Sequence, residues 1–161
     1  MRWLRFLPLV LLTASLSAQQ LAFPLTDKIT GLAGTWTIDP SHGAGGICGV
    51  PEAPTLSFEL LPDSISITGR SHWQVPLTGA ATSDDGLAVL STDADWLKLT
   101  TTKPRGNGFA NIMQEVYILN AARSELTLWR TLNVRLPDGG SGKIDCGNRT
   151  ATVYRRQVKP Q

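Results

Sequence analysis

Between residues 55 and 69 apolar and polar side chains alternate one for one, and that period recurs through most of the chain that follows. Leu56, Phe58 and Leu60 share one side of Thr55–Leu61, with Thr55, Ser57 and Glu59 opposite. Pro62-Asp63 reverses the chain, and Ser64–Gly69 resumes with Ile65 and Ile67 on the apolar side. A period of two sends successive side chains to opposite faces of an extended strand, so this pair reads as a hairpin half buried against a core. Trp73, Val75 and Leu77 mark the next strand, Ser71–Leu77, whose Pro76 belongs at a sheet edge because proline has no amide to give a neighbour. Ser83-Asp84-Asp85-Gly86 is a turn, and Leu87–Ser91 and Trp96–Thr102 form another pair, ended by the run Lys103–Gly108. The longest hairpin is predicted from Asn111–Leu119 and Glu125–Leu136 about the turn Asn120–Ser124. A Gly-rich turn, Pro137–Gly142, precedes the last strand, Arg149–Gln157. Ahead of them all, a short helical turn at Asp27–Thr30 leads into a first strand, Ala33–Asp39, and then into a Gly- and Pro-rich loop, Pro40–Pro54.

Short strands with turns between them and almost no helix predict an all-β fold. Because hairpin follows hairpin, the expected form is a single antiparallel up-and-down β-barrel of about eight strands. Two stripes locate its interior. In the penultimate strand the alternate positions are Leu126, Leu128, Arg130, Leu132, Val134 and Leu136, and in its neighbour they are Ile112, Gln114, Val116 and Ile118. Arg130 and Gln114 interrupt otherwise apolar stripes. A buried guanidinium needs a partner, so these two residues are candidates for holding the acidic or carbonyl end of a small molecule, with Trp36, Trp73 and Tyr154 supplying apolar wall. The competing reading places Arg130 at a rim, or turns Trp129 inward through a bulge.

The N-terminus changes the charge picture. Arg2 and Arg5, the apolar run Leu7–Leu12 and the small residues of Ala14-Ser15-Leu16-Ser17-Ala18 have the order of a secretory signal peptide cleaved after Ala18. The expected organisation is therefore a signal peptide at 1–18, a lead-in at 19–31 and one barrel domain at 32–157. The apolar run falls short of the roughly 20 residues that span a bilayer, so no membrane span is expected, and the destination is the periplasm or the medium. Of the 15 Lys and Arg, two leave with the leader, and the remaining 13 match the 13 Asp and Glu. A mature chain without net charge gives no support for nucleic-acid binding.

Gly34-Thr35-Trp36, placed just behind a short helical turn and at the start of the first strand, resembles the opening of lipocalins and the wider calycin group. That resemblance implies that Trp36 closes one end of the barrel beneath an Arg from the last strand, Arg155 or Arg156, and that the interior holds a small, mainly apolar or amphiphilic ligand. The family's Thr-Asp-Tyr-type turn is replaced here by Asn120-Ala121-Ala122-Arg123. Leu32–Trp36 together with Pro54–Phe58, Met113-Gln114-Glu115 and Glu125–Leu128 also resembles the exported META domain, although Gly69–Trp73 lacks that family's Gly-Cys-Asn stretch. A third resemblance is to small periplasmic barrels that inhibit metalloproteases, whose cysteines lie closer together. These two imply the alternative function, an envelope-stress or inhibitor-type interaction protein with a filled barrel that meets a protein partner through its loops, Pro40–Pro54 foremost.

No residue set specifies catalysis or a cofactor, and the chain is read as a non-enzymatic protein. Ser41-His42 and Ser71-His72 are neighbours that an extended strand would point to opposite faces, and neither Ser sits in a nucleophile-elbow motif. The glycines of 43–49 lack the Lys-Ser/Thr ending of a phosphate loop. Cys48 and Cys146 are the only cysteines. In an oxidising compartment they are expected to form one disulfide, closing a loop of roughly 100 residues, which the chain-entropy model values at about 4–5 kcal/mol. Two free thiols or a metal pair is the alternative, with only His42 and His72 to complete a zinc site. If the bond forms, the non-reduced mature chain will be lighter by two hydrogens than the reduced chain in mass analysis. Two thiols that alkylate freely in the native protein would reject it.

Overall fold

In the computed structural model, which describes residues 27–42, 46–93, 95–144 and 151–157, antiparallel strands follow one another around a ring. A short helix α1 (Asp27–Thr30) leads into β1 (Gly34–Ile38), and a small hairpin of β2 (Gly46–Ile47) and β3 (Val50–Pro51) stands in the loop that follows. Then come β4 (Thr55–Leu60), β5 (Ser64–Thr68), β6 (His72–Pro76), β7 (Ala80–Ser83), β8 (Gly86–Thr92) and β9 (Trp96–Pro104). The chain closes with β10 (Ala110–Leu119), β11 (Glu125–Arg135), β12 (Ser141–Lys143) and β13 (Thr152–Arg156).

Among the described residues an 11-stranded sheet runs β6-β5-β4-β1-β13-β11-β10-β9-β8-β7, with β12 paired to the end of β11. Every pairing is antiparallel, and β1 joins the two halves by pairing with β13 on one side and β4 on the other. The sheet thus curls into a nearly closed barrel whose seam lies between the consecutive strands β6 and β7. Pro76 falls on β6, at that edge, where a missing amide breaks no ladder.

The expected count of about eight strands is corrected to ten or eleven. β7 was not predicted because Ala80-Ala81-Thr82-Ser83 has no large side chains to alternate, and β12 because it lies at the end of a Gly-rich turn. Ser64 and Ser66, expected on the solvent side of β5, are also buried, with Gln74 donating to the Ser64 hydroxyl at 3.3 Å.

Large apolar side chains fill the barrel from one end to about its middle. Trp36, Leu56, Leu97, Leu126 and Tyr154 are each no more than 1% exposed, and Phe58 meets Tyr117 edge to face with centroids 5.1 Å apart. Trp36 closes this end. Its indole N–H donates to the Leu32 carbonyl at 2.8 Å, so its one polar atom is satisfied inside the core. The Arg156 guanidinium lies 4.5 Å from the indole centroid and donates to the carbonyls of Ala33, Arg123 and Gly31. Gly34 carries a φ of +120°, a conformation in which a side chain is strained, and it brings the backbone in beneath Arg156. Ile29 and Leu32, both buried, complete the plug.

A polar clasp binds the same strands from outside. Asp39 accepts from the Ser41 amide and hydroxyl at 3.0 and 2.6 Å and from Arg155 Nε at 2.7 Å, while Arg155 Nη1 reaches Glu125 at 3.0 Å. The Ser41 hydroxyl, followed by Arg155, holds the Asp39 carboxyl well below the usual carboxylate range.

Because Trp36 is wholly buried, stacked with Arg156 and hydrogen-bonded through its nitrogen, Trp36→Ala should lower stability by about 3–5 kcal/mol in denaturant unfolding. A loss under about 1 kcal/mol would show that the closed end does not depend on the indole.

Candidate functional site

Alternation along β11 sends Leu126 and Leu128 into the core, and the next residue in phase is Arg130. Trp129 points outward and is 46% exposed, so no bulge reverses the strand. The Arg130 side chain is 7% exposed and lies between two carboxylates, with Nη1 on Glu52 and Nη2 at 2.5 Å from Glu115. Those side chains are 2% and 13% exposed. Glu115 comes from β10, directly across the ladder from Arg130, and also accepts from the Tyr117 hydroxyl at 2.7 Å. Glu52 comes from the loop between β3 and β4, where the Tyr154 hydroxyl holds the next residue by donating to the Ala53 carbonyl at 2.9 Å. A distant loop is thereby joined to the β10–β11 hairpin at one buried cation.

Burial sets the electrostatics of this cluster. It raises the Glu52 pKa, against the pull of Arg130, and it raises that of Tyr117, with the neighbouring Glu115 acting in the same direction. Burial opposes the charge on Arg130, but Glu115 and Glu52 outweigh it, and the guanidinium is held above its ordinary value. Arg130 Nε is buried without a hydrogen-bond partner, as is Asn111 Oδ1 farther along β10.

Beyond the cluster the barrel is not filled. A cavity of about 360 Å³ occupies this end, with Glu115 and Arg130 on its floor and Ile47, Val50, Trp73, Met113 and Leu132 as apolar wall. Its rim is polar, formed by Arg70, Asn111 and the pair Lys103–Asp85 at 2.9 Å. The β2–β3 hairpin covers one side, turning through Cys48 and Gly49 with φ of 53° and 73°, and Arg70 Nη1 ties it down by donating to the Pro51 carbonyl at 2.7 Å. A smaller space of about 10 Å³ adjoins it, shared by Glu115, Arg130, Tyr117 and Trp73.

Of the residues predicted to line a pocket, Arg130 and Trp73 lie on this cavity. Gln114 is corrected. It pairs in register with Thr131, which donates to its Oε1 at 3.2 Å, on the face opposite Arg130. Ile112, Val116 and Ile118 share that outer face with it, and the inner positions of β10 are Met113, Glu115, Tyr117 and Leu119. Trp36 and Tyr154 are corrected too, because Trp36 plugs the far end and Tyr154 packs wholly within the core. Glu52 and Glu115 were missed: the first stands in an irregular loop, and the second occupies the stripe that was assigned to the outside. Cys48 sits at the hairpin turn beside the cavity, while Cys146 lies outside the described residues.

Among the described residues no group of three or more His, Cys, Asp or Glu could hold a metal ion, and no helix is long and apolar enough to cross a membrane. In comparisons with protein families, curated proteins and solved structures, nothing matches this chain.

Removing Arg130 leaves two carboxylates facing each other in the core, so Arg130→Met should cost about 3–5 kcal/mol at neutral pH. Burial and the neighbouring Glu115 already raise the Glu52 pKa against the pull of Arg130, and without the guanidinium it moves further above that of the unfolded chain. The folded variant then binds a proton that the unfolded chain has already lost, so its stability rises as pH falls through the raised value. Thermal melts from pH 7 to pH 4 should therefore show the gap from the parent narrowing, and a constant gap would contradict the assigned pairing.

Proposed function

We propose that this protein is an exported, non-enzymatic binding module of lipocalin-like form that holds a small, mainly apolar or amphiphilic molecule in the unfilled end of its barrel. The observation that carries this reading is the cavity of about 360 Å³, apolar in its walls and polar at its floor and rim. That volume lies within the range of small-molecule sites, and a few fixed polar groups within apolar walls are what orients such a ligand. Export rests on the leader-like residues 1–18, and the lipocalin-like reading on Gly34-x-Trp36 with Arg156 stacked on the indole.

Arg130 takes a different role from the one its stripe suggested. Both its Nη groups already meet carboxylates, which leaves little attraction for an anionic head group.

One observation favours the alternative, an envelope-stress or inhibitor-type protein with a protein partner. Leu87, Val89 and Trp129 are exposed on the outer face of β8 and β11, a composition suited to a protein contact.

The two readings part on cavity occupancy. Native mass spectrometry of protein purified without detergent should show one small molecule per chain, and Leu132→Trp, which fills the cavity, should abolish it while leaving the fold intact. Parent protein that carries no adduct and takes up no added amphiphile would favour the protein-partner reading.

A further inference from the structure

We propose that the cavity selects a cationic amphiphile, a molecule with an apolar tail and an ammonium head group, and that Glu115 receives the head group. This rests on the ligand-binding reading above and adds the sign of the ligand's charge.

The charges around the floor do not cancel. One guanidinium, Arg130, lies between the carboxylates of Glu52 and Glu115, so the buried cluster has one more negative group than positive. At the rim, Lys103 and Asp85 neutralise each other at 2.9 Å. Arg70 opposes the surplus, since it faces Glu52 and lines the cavity, but it is exposed and tethered to the Pro51 carbonyl, where water screens it. Tyr117 and Tyr154, packed against the same cluster, are neutral phenols with hydroxyls committed to Glu115 and to the Ala53 carbonyl.

A surplus carboxylate in a water-poor site is relieved by a proton or by a cation. An incoming anion meets two carboxylates and a guanidinium whose Nη groups are both engaged, so it gains no partner and adds repulsion. An ammonium group meets Glu115, the most exposed member of the cluster at 13%, which lines both the large cavity and the space of about 10 Å³ next to it. That smaller space is about the size of one water molecule, and hence of one ammonium nitrogen. Met113, Leu132, Trp73 and Ile47 then cover the tail.

The test is calorimetry at neutral pH with three probes of one tail length: octylamine, octanol and octanoate. The amine should bind at least ~10-fold more tightly than the alcohol, about 1.4 kcal/mol, and octanoate more weakly than the alcohol. Glu115→Gln keeps the side-chain volume and should bring the amine down to the affinity of the alcohol while alcohol binding changes little. Octanoate binding as tightly as octylamine would overturn the proposal, and so would a folded Glu115→Gln protein that keeps the full preference for the amine. Should that variant fail to fold, the ranking of the three probes on the parent protein decides alone. Binding of none of the three would overturn the ligand-binding reading itself, and this inference with it.

Discussion

A guanidinium cannot remain charged in an apolar stripe without partners, and the open half of this barrel is organised around supplying them to Arg130. Glu115 arrives from the neighbouring strand by ladder register alone. Glu52 arrives from a loop that Tyr154 and Arg70 also anchor, at Ala53 and Pro51, and it stands next to the β2–β3 hairpin that covers the cavity. The charge of the cavity floor and the inward placement of Glu52 thus answer to one buried cation. Apolar side chains of similar size would have packed the same space at less electrostatic cost. What the ion cluster supplies instead is a fixed position for a loop and a polar floor in a hydrophobic chamber.

The two ends of the barrel solve the same problem in opposite ways. At the closed end Arg156 gives its donors to backbone carbonyls and its flat face to Trp36, and Ile29 and Leu32 are buried in the same core. Charge there serves closure. At the other end Arg130 is matched by carboxylates, and Met113, Leu132 and Trp73 line the space beyond it without filling it. Filling one end to a well-packed density secures the barrel and lets the other stay empty, since strand pairing around most of the ring holds the walls in place.

Most of the strands were legible because hydrophobic period and turn chemistry agree in this chain. Leu56, Phe58, Ile65 and Ile67 alternate cleanly, and Pro62-Asp63 marks the reversal between them. The closed end was legible through Gly34-x-Trp36 and the late arginines. Strand number was not, because Ala80–Ser83 pairs through its backbone alone, a contribution that side-chain patterning does not record. Arg130 was visible as a break in a stripe, whereas its partners were not. Glu52 lies in a segment without periodicity, and β10 is apolar on both faces, so alternation cannot say which of Gln114 and Glu115 looks inward.

That last ambiguity is decided at the tip of the hairpin, some distance from the site it controls. A five-residue turn, Asn120–Ser124, would place Leu119 opposite Glu125 and carry Gln114 to Arg130. In the structure the ladder begins one residue later, with Leu119 opposite Leu126, because Asn120 turns its side-chain carbonyl onto the amides of both Ser124 and Glu125 while Arg123 adopts a φ of 55°. Glu125 takes the Asn120 amide on its carbonyl at 3.0 Å and pairs on its other side with Arg155 of β13. The single-residue shift exchanges the faces of the whole of β10, puts Tyr117 and Leu119 into the core, and leaves Ile112, Val116 and Ile118 on the outer face. It also exchanges a neutral amide for a carboxylate opposite the buried guanidinium. With Gln114 in that place Arg130 would retain charge to offer an anion, and with Glu115 there it does not. The turn at Asn120 therefore sets the electrostatic sign of the cavity as well as the register of the sheet.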